Sequence, residues 1–189
     1  MSTRRGANDP GRRERIIDVT LALISEDGVH KTTHRRIAAR ADVPLGSLTY
    51  YFNSLADLFE NAFASFSTRL SEQYRARLAA ASDREQACEA VVALICDGSY
   101  ATEGEVRTLL EMYSYGSHNT AVRDLCREWL NVSRESLGLH FSEPTARALD
   151  ALIEGWPIHQ TWEAAHVDRD VVRASVAAIV ERFEPAPSR

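Results

Sequence analysis

The side chains best suited to recognising another molecule are gathered in one stretch, Pro44-Leu45-Gly46-Ser47-Leu48-Thr49-Tyr50-Tyr51-Phe52-Asn53. The hydroxyls of Ser47 and Thr49 and the phenols of Tyr50 and Tyr51 can bond phosphate oxygens or base edges, and Leu45 can touch a thymine methyl. Gly46 lets a partner approach the backbone. Arg35 and Arg36 just upstream, with Thr33 and Asn53 at the edges, add further donors. These residue types suit non-covalent contact, and a short helix presenting them is expected to lie against double-stranded DNA. Leu48 and Phe52 in the same stretch read as core, and Tyr50 is open to either role.

Catalysis has little to stand on. The chain carries no GxSxG, P-loop, GxGxxG or HExxH pattern, its six histidines are scattered, and His30 and His34 straddle a helix start. No catalytic residue, metal or cofactor is expected. Cys88, Cys96 and Cys126 are odd in number, lack a CxxC spacing and sit in apolar helical surroundings, which reads as reduced thiols packed as small hydrophobes. The alternative from another class is a small helical enzyme or metal-binding protein without a DNA role. DNA binding followed at several salt concentrations separates the two.

The elements that must hold the stretch are helical throughout; nothing reads as a strand or a repeat. Ile17, Thr20, Leu21 and Ile24 recur at i, i+3, i+4 and i+7, and Gly28 stands where a helix end favours a left-handed residue. Thr32 and Thr33 offer caps for a second helix, His34 to Ala41, with Ile37, Ala38 and Ala41 apolar. Asp42-Val43 is a tight break, and Pro44 opens a third helix in or just before its first turn. A connection of about three residues between two short helices is helix-turn-helix spacing. Leu55, Leu58, Phe59, Ala62, Phe63, Phe66 and Leu70 then mark a fourth helix of about 24 residues, a rod of roughly 36 Å.

With these residues in place, the sequence resembles the TetR family of transcriptional regulators. The resemblance is carried by Thr32-Thr33, by Ile37-Ala38-Ala39-Arg40-Ala41-Asp42-Val43, and by Gly46-Ser47-Leu48-Thr49-Tyr50-Tyr51-Phe52 followed by Asn53-Ser54. It covers residues 12 to 62 or so. It implies an all-α protein of about nine helices whose fourth helix joins a DNA-binding head to a ligand-binding, dimerising body. Two positions depart from the pattern: Leu55 stands where the family often has a lysine that meets a phosphate, and Pro44-Leu45 where it often has a hydroxyl and a charged residue.

Charge is divided unevenly. Residues 1–54 hold nine basic and six acidic side chains, a balance of +3, while the remainder stands at −8, within a total of −5. A basic head on an acidic body fits a protein that offers one end to phosphates. Residues 1–9 read as an arm that either reaches a groove or is a solvated tail, 10–54 as the head, 55–184 as the body and 185–189 as a tail. No run approaches the roughly 18 apolar residues of a membrane span, and no apolar run follows the N-terminal arginines, so a cytoplasmic protein with no membrane partner is expected.

The body is rich in large amphipathic side chains. Phe66, Tyr100, Met112, Tyr113, Trp129, Trp156 and His159 are candidates for lining an apolar cavity that holds a small-molecule effector, with ordinary core as the plainer role. A kink is expected at Trp156-Pro157, inside a helical pattern. The last two helices show more apolar surface than a small body can cover, which, with the resemblance, points to a homodimer through Leu152, Trp156, Val172, Val176, Ile179 and Phe183. The combined expectation is a repressor that binds a palindromic operator as a dimer and is released by a ligand.

Overall fold

The computed structural model describes residues 9–98, 102–163 and 168–184. Among them are nine α-helices and no strand: α1 Arg12–Asp27, α2 His34–Arg40, α3 Leu45–Tyr51, α4 Leu55–Ala79, α5 Arg84–Cys96, α6 Glu103–Gly116, α7 Thr120–Leu137, α8 Glu143–Trp162 and α9 Arg169–Phe183, with a 3-10 turn at Val29–Lys31 after α1. Tyr100, most of the N-terminal arm and the tail at 185–189 lie outside the described residues.

Local chemistry fixes most helix starts. Thr33, Ser54, Asp83, Asn119 and Asp168 each accept a backbone N–H from the first turn of the helix that follows. Thr102 and Glu105 close a reciprocal capping box on α6. Each such cap contributes about 1 kcal/mol by satisfying a donor the helix cannot. Gly28 ends α1 at φ 82°, a backbone conformation that favours glycine, and a Cβ there would lie 3.0 Å from a carboxylate oxygen of Glu111.

The α2–α3 connection is a Schellman closure. Val43 N–H donates to the Ala38 carbonyl at 3.0 Å and Asp42 N–H to that of Ala39 at 3.4 Å. Asp42 takes the left-handed position, φ 51°, where glycine is usual and aspartate is among the better substitutes. Pro44 follows as the extended residue before α3, where its missing N–H is no loss. Ile37, Ala38, Leu48 and Phe52 bury themselves against Ile16, Ile17 and Leu58 in one core.

The 25-residue α4 extends about 37 Å at 1.5 Å per residue. It packs chiefly against α7, and also against α1 and α5. Its buried stripe of Leu58, Phe59, Ala62, Phe63, Phe66, Leu70, Tyr74 and Leu78 follows the helical period. Truncating Phe63 or Phe66 to alanine would cost about 3–5 kcal/mol in transfer and cavity terms. In α8 the helix runs through Pro157 to Trp162. Proline has no N–H, so the Ile153 carbonyl receives no bond from that position.

On α9 the expectation for the dimer face needs correcting. Val172 and Val176 are 0% and 1% exposed inside the protomer, where α9 packs on α5 and α8. The apolar stripe of a helix records that a face is covered but not by what. Leu152, Trp156 and Ile179 are half-buried and Phe183 is 47% exposed.

Candidate functional site

Two regions carry the chemistry, one on α3 and one between α4, α6, α7 and α8. On α3, Leu48 and Phe52 point inward, and Leu45, Gly46, Thr49 and Tyr50 share the opposite side. Tyr50 is 80% exposed and Leu45 49%. Nothing lies within 4 Å of where a Gly46 Cβ would stand, so the backbone is open to a partner. Thr49 Oγ1 donates to the Gly46 carbonyl at 3.1 Å and keeps its lone pairs for an outside donor. Tyr51 is half-buried and meets the Tyr50 ring edge-on, centroids 4.9 Å apart.

Several expected DNA contacts are already engaged within the protein. Ser47 is only 9% exposed: it shares the inward side with Leu48, as neighbouring positions on a short helix must. Arg36 pairs with Asp27 and donates to the Lys31 carbonyl at 2.9 Å. Arg40 pairs with Glu26. These arginines hold the Asp27 and Glu26 carboxyls below the usual range through side-chain hydrogen bonds. Asn53 gives both its backbone and its side-chain N–H to Asp57 Oδ2, at 2.7 and 3.1 Å. Thr33 caps α2 while remaining exposed, and Pro44 is exposed at the head of α3. Arg35 is exposed and has no hydrogen bond or ion pair among the described residues. Leu55 packs against the core.

A set of contacts between α6 and the α1 end escaped the sequence. Glu111 Oε2 accepts the Val29 N–H at 2.9 Å, Ser25 Oγ donates to the Gly104 carbonyl at 2.9 Å, and Arg107 Nε donates to the Ser25 carbonyl at 3.1 Å. Pairings across some eighty residues leave no local signal. They join α6 to the end of α1 and to the turn before α2.

In the body, a cavity of about 20 Å³ is lined by side chains including Leu70, Leu109, Tyr113, Trp129 and Glu154. Tyr113 and Trp129, expected at a ligand site, both meet Glu154: the Tyr113 hydroxyl donates at 2.7 Å and Trp129 Nε1 at 2.9 Å. Burial pushes the Glu154 carboxyl up, against the opposing effect of those two bonds. One turn earlier, Asp150 is pushed up by burial too, although Ser133 and Arg134 bond it. Glu154 was missed, yet acids at i and i+4 among Leu149, Leu152 and Ile153 were a visible signal. Met112 and Phe66 are closed inside the core. Trp156 and His159 instead line, with Leu152, an open groove of about 350 Å³ on another side of α8.

The arrangement presents an exposed recognition face on a short helix, set by a tight turn and tied to a body with an enclosed polar cluster. Residues 16–62 match the family model described as bacterial regulatory proteins, tetR family. The HTH-type transcriptional regulator BetI of Serratia proteamaculans is 30% identical over 160 residues, 77% of this chain and 79% of that protein. The chain belongs to the TetR family. A transcriptional regulator from Streptomyces coelicolor superposes on this TetR-family chain with a TM-score of 0.81 and 39% identity, covering 90% of this chain and 98% of its own. The multidrug binding protein EbrR, complexed with ethidium, gives 0.76 at 28% identity, covering 91% and 99%. As a TetR-family member the protein is a DNA-binding transcriptional regulator rather than an enzyme. Its helix-turn-helix is the pair α2 and α3, and no helix among the described residues is long and apolar enough to cross a membrane.

Proposed function

We propose that this regulator is a cytoplasmic repressor that binds a two-fold-symmetric operator as a homodimer and is released by a small molecule held in its body. The observation that carries the DNA face is Tyr50 at 80% exposure beside Thr49, Gly46 and Leu45, on a helix fixed by the Asp42 turn. A phenol left this exposed on the recognition helix, touching the protein through the Tyr51 ring, is placed to meet a partner. Residues 10–54 act as the head and 55–184 as the body. Within the head, Leu45, Gly46, Thr49, Tyr50 and Arg35 meet DNA directly, with Thr33, Pro44 and Tyr51 at the margin.

Two heads must enter successive major grooves about 34–36 Å apart, or a multiple of that spacing, which calls for a partner copy. Leu152, Trp156, Ile179 and Phe183 offer apolar surface on α8 and α9 for it. Ethidium bound by EbrR, similar over most of the chain, supports a small-molecule ligand in the body. Ligand and operator are then coupled: a ligand that favours a head spacing unfit for the operator must itself be weakened by operator to the same extent.

Selection of genomic fragments bound by the protein, followed by salt titration of the best fragment, tests the reading. A selected palindrome and a steep salt slope, reduced by about one unit in Arg35→Ala, are expected. Absence of any selected sequence, with binding indifferent to salt, would overturn it.

A further inference from the structure

Glu154 is a largely buried carboxylate whose hydrogen-bond partners are both uncharged. Glu154 accepts from the Tyr113 hydroxyl and from Trp129 Nε1, and the cavity beside it is lined by a second carboxylate, Glu105, but by no lysine, arginine or histidine. The contrast with Asp150, one turn away on the same helix, is direct. Asp150 has Arg134 Nε at 3.1 Å, a counter-charge supplied from within the protein. For Glu154 the fold supplies two neutral donors that hold the carboxylate in place and leave its charge unbalanced. A buried carboxylate either takes up a proton or waits for a cation.

We infer that the cavity between α4, α6, α7 and α8 takes an organic cation, with the Glu154 carboxylate as its counter-charge and the Tyr113 and Trp129 rings among its walls. This deepens, and rests on, the reading of the body as a ligand-binding unit. Aromatic rings attract cations through their electron-rich faces, and the rest of the lining, Leu70, Val106, Leu109 and Ile158, suits an apolar substituent rather than a hydrated metal ion. At about 20 Å³ the void holds little more than one water, so the ligand enters by widening it. The wall built to give way is the end of α8: Pro157 lines the cavity and interrupts the hydrogen-bond ladder there.

Proton linkage follows. The titratable groups facing Glu154 are Asp150 on its own helix, Tyr113 and Glu105 on α6, Cys126 on α7 and Tyr74 on α4, and none of them is basic. Burial favours the protonated carboxyl in the free protein, while a bound cation favours the ionised one. Cation binding therefore releases a proton to solvent and tightens as pH rises through the Glu154 titration.

Calorimetric titration of the DNA-free protein with tetramethylammonium, phenyltrimethylammonium and tetraphenylphosphonium tests this, with tert-butylbenzene as the neutral isostere of the second. Binding of at least one cation is expected, with phenyltrimethylammonium at least about tenfold tighter than tert-butylbenzene. Glu154→Gln, whose carbonyl oxygen can accept from Trp129 while its NH2 donates to the Tyr113 hydroxyl, should lose that preference and the proton release seen in buffers of different ionisation enthalpy. Equal binding of the two isosteres, undiminished cation binding in Glu154→Gln, or no binding of any of the three cations would overturn the inference. The isostere comparison needs no variant and so stands even where Glu154→Gln fails to fold. Because no DNA is present, failure here leaves operator recognition untouched, and failure of operator recognition leaves this result standing.

Discussion

Glu111 Oε2 on α6 accepts the backbone N–H of Val29 at 2.9 Å, joining the helix that carries Tyr113 to the turn that leads into α2. A charged acceptor on a backbone N–H is stronger than a neutral one, by roughly a factor of two. A side chain added at Gly28 would press on the same Glu111 carboxylate. On the proposed reading of the body, this bond carries movement of α6 around a ligand at Tyr113 to the turn before α2. Glu111→Ala is expected to lower stability by about 1–2 kcal/mol and to speed hydrogen exchange at the Val29 amide. Unchanged exchange at that amide would show that the bond does not hold the junction.

The two tyrosines of α3 should separate. Tyr50 is exposed and touches chiefly the Tyr51 ring, so Tyr50→Ala is expected to change urea stability by less than about 0.5 kcal/mol while weakening operator binding by about 1–2 kcal/mol. Tyr51 is half-buried and packs against the core, so Tyr51→Ala should lose about 1 kcal/mol of stability as well as affinity. Equal stability losses in the two variants would contradict this division of roles. Paired denaturation and gel-shift measurements on each variant decide it.

What the sequence revealed and what it hid follow the range of the interactions. Thr33, Asp42 and Pro44 declare the α2–α3 turn because capping, left-handed backbone and a missing N–H are all properties of a few consecutive residues. The inward positions of Leu48 and Phe52 follow from helical period alone. Arg36 looked available for phosphate because nothing local marks Asp27, nine residues earlier, as its partner. The same holds for the α6 contacts and for Glu154, which acquires its meaning only when Tyr113 and Trp129 arrive from other helices. Val172 and Val176 showed an apolar stripe, and only the packing of α9 on α5 and α8 says that the protomer itself covers it.

That distinction gives a paired test of assembly. Phe183 is 47% exposed on α9, and Phe183→Glu should shift the protein from dimer to monomer in sedimentation while its thermal unfolding remains cooperative. Val176 is 1% exposed, and Val176→Glu should unfold the protomer because an unpaired charge would be driven into its core. A folded Phe183→Glu variant that still sediments as a dimer would move the interface away from the end of α9.

The buried carboxyl sets a pH dependence of known sign. Burial raises the folded-state pKa of Glu154 above its ordinary value of 4.5, so the folded protein holds a proton that the unfolded chain releases over the interval between the two. Where the native state binds more protons, stability falls as pH rises. The contribution of Glu154 is therefore fully present below pH 4.5 and is lost as pH rises through its folded-state pKa. Asp150 is shifted in the same direction and adds to the slope, so the wild-type curve alone does not isolate Glu154. Glu154→Gln does: the amide accepts from Tyr113 or Trp129 without ever ionising. Urea denaturation across a pH series should show the variant losing less stability than wild type as pH rises above 4.5, with the two curves parallel below it. Curves parallel over the whole range would mean that Glu154 ionises in the folded protein as easily as in the unfolded chain, and that the cavity beside it is far better solvated than its enclosure by Tyr113 and Trp129 implies.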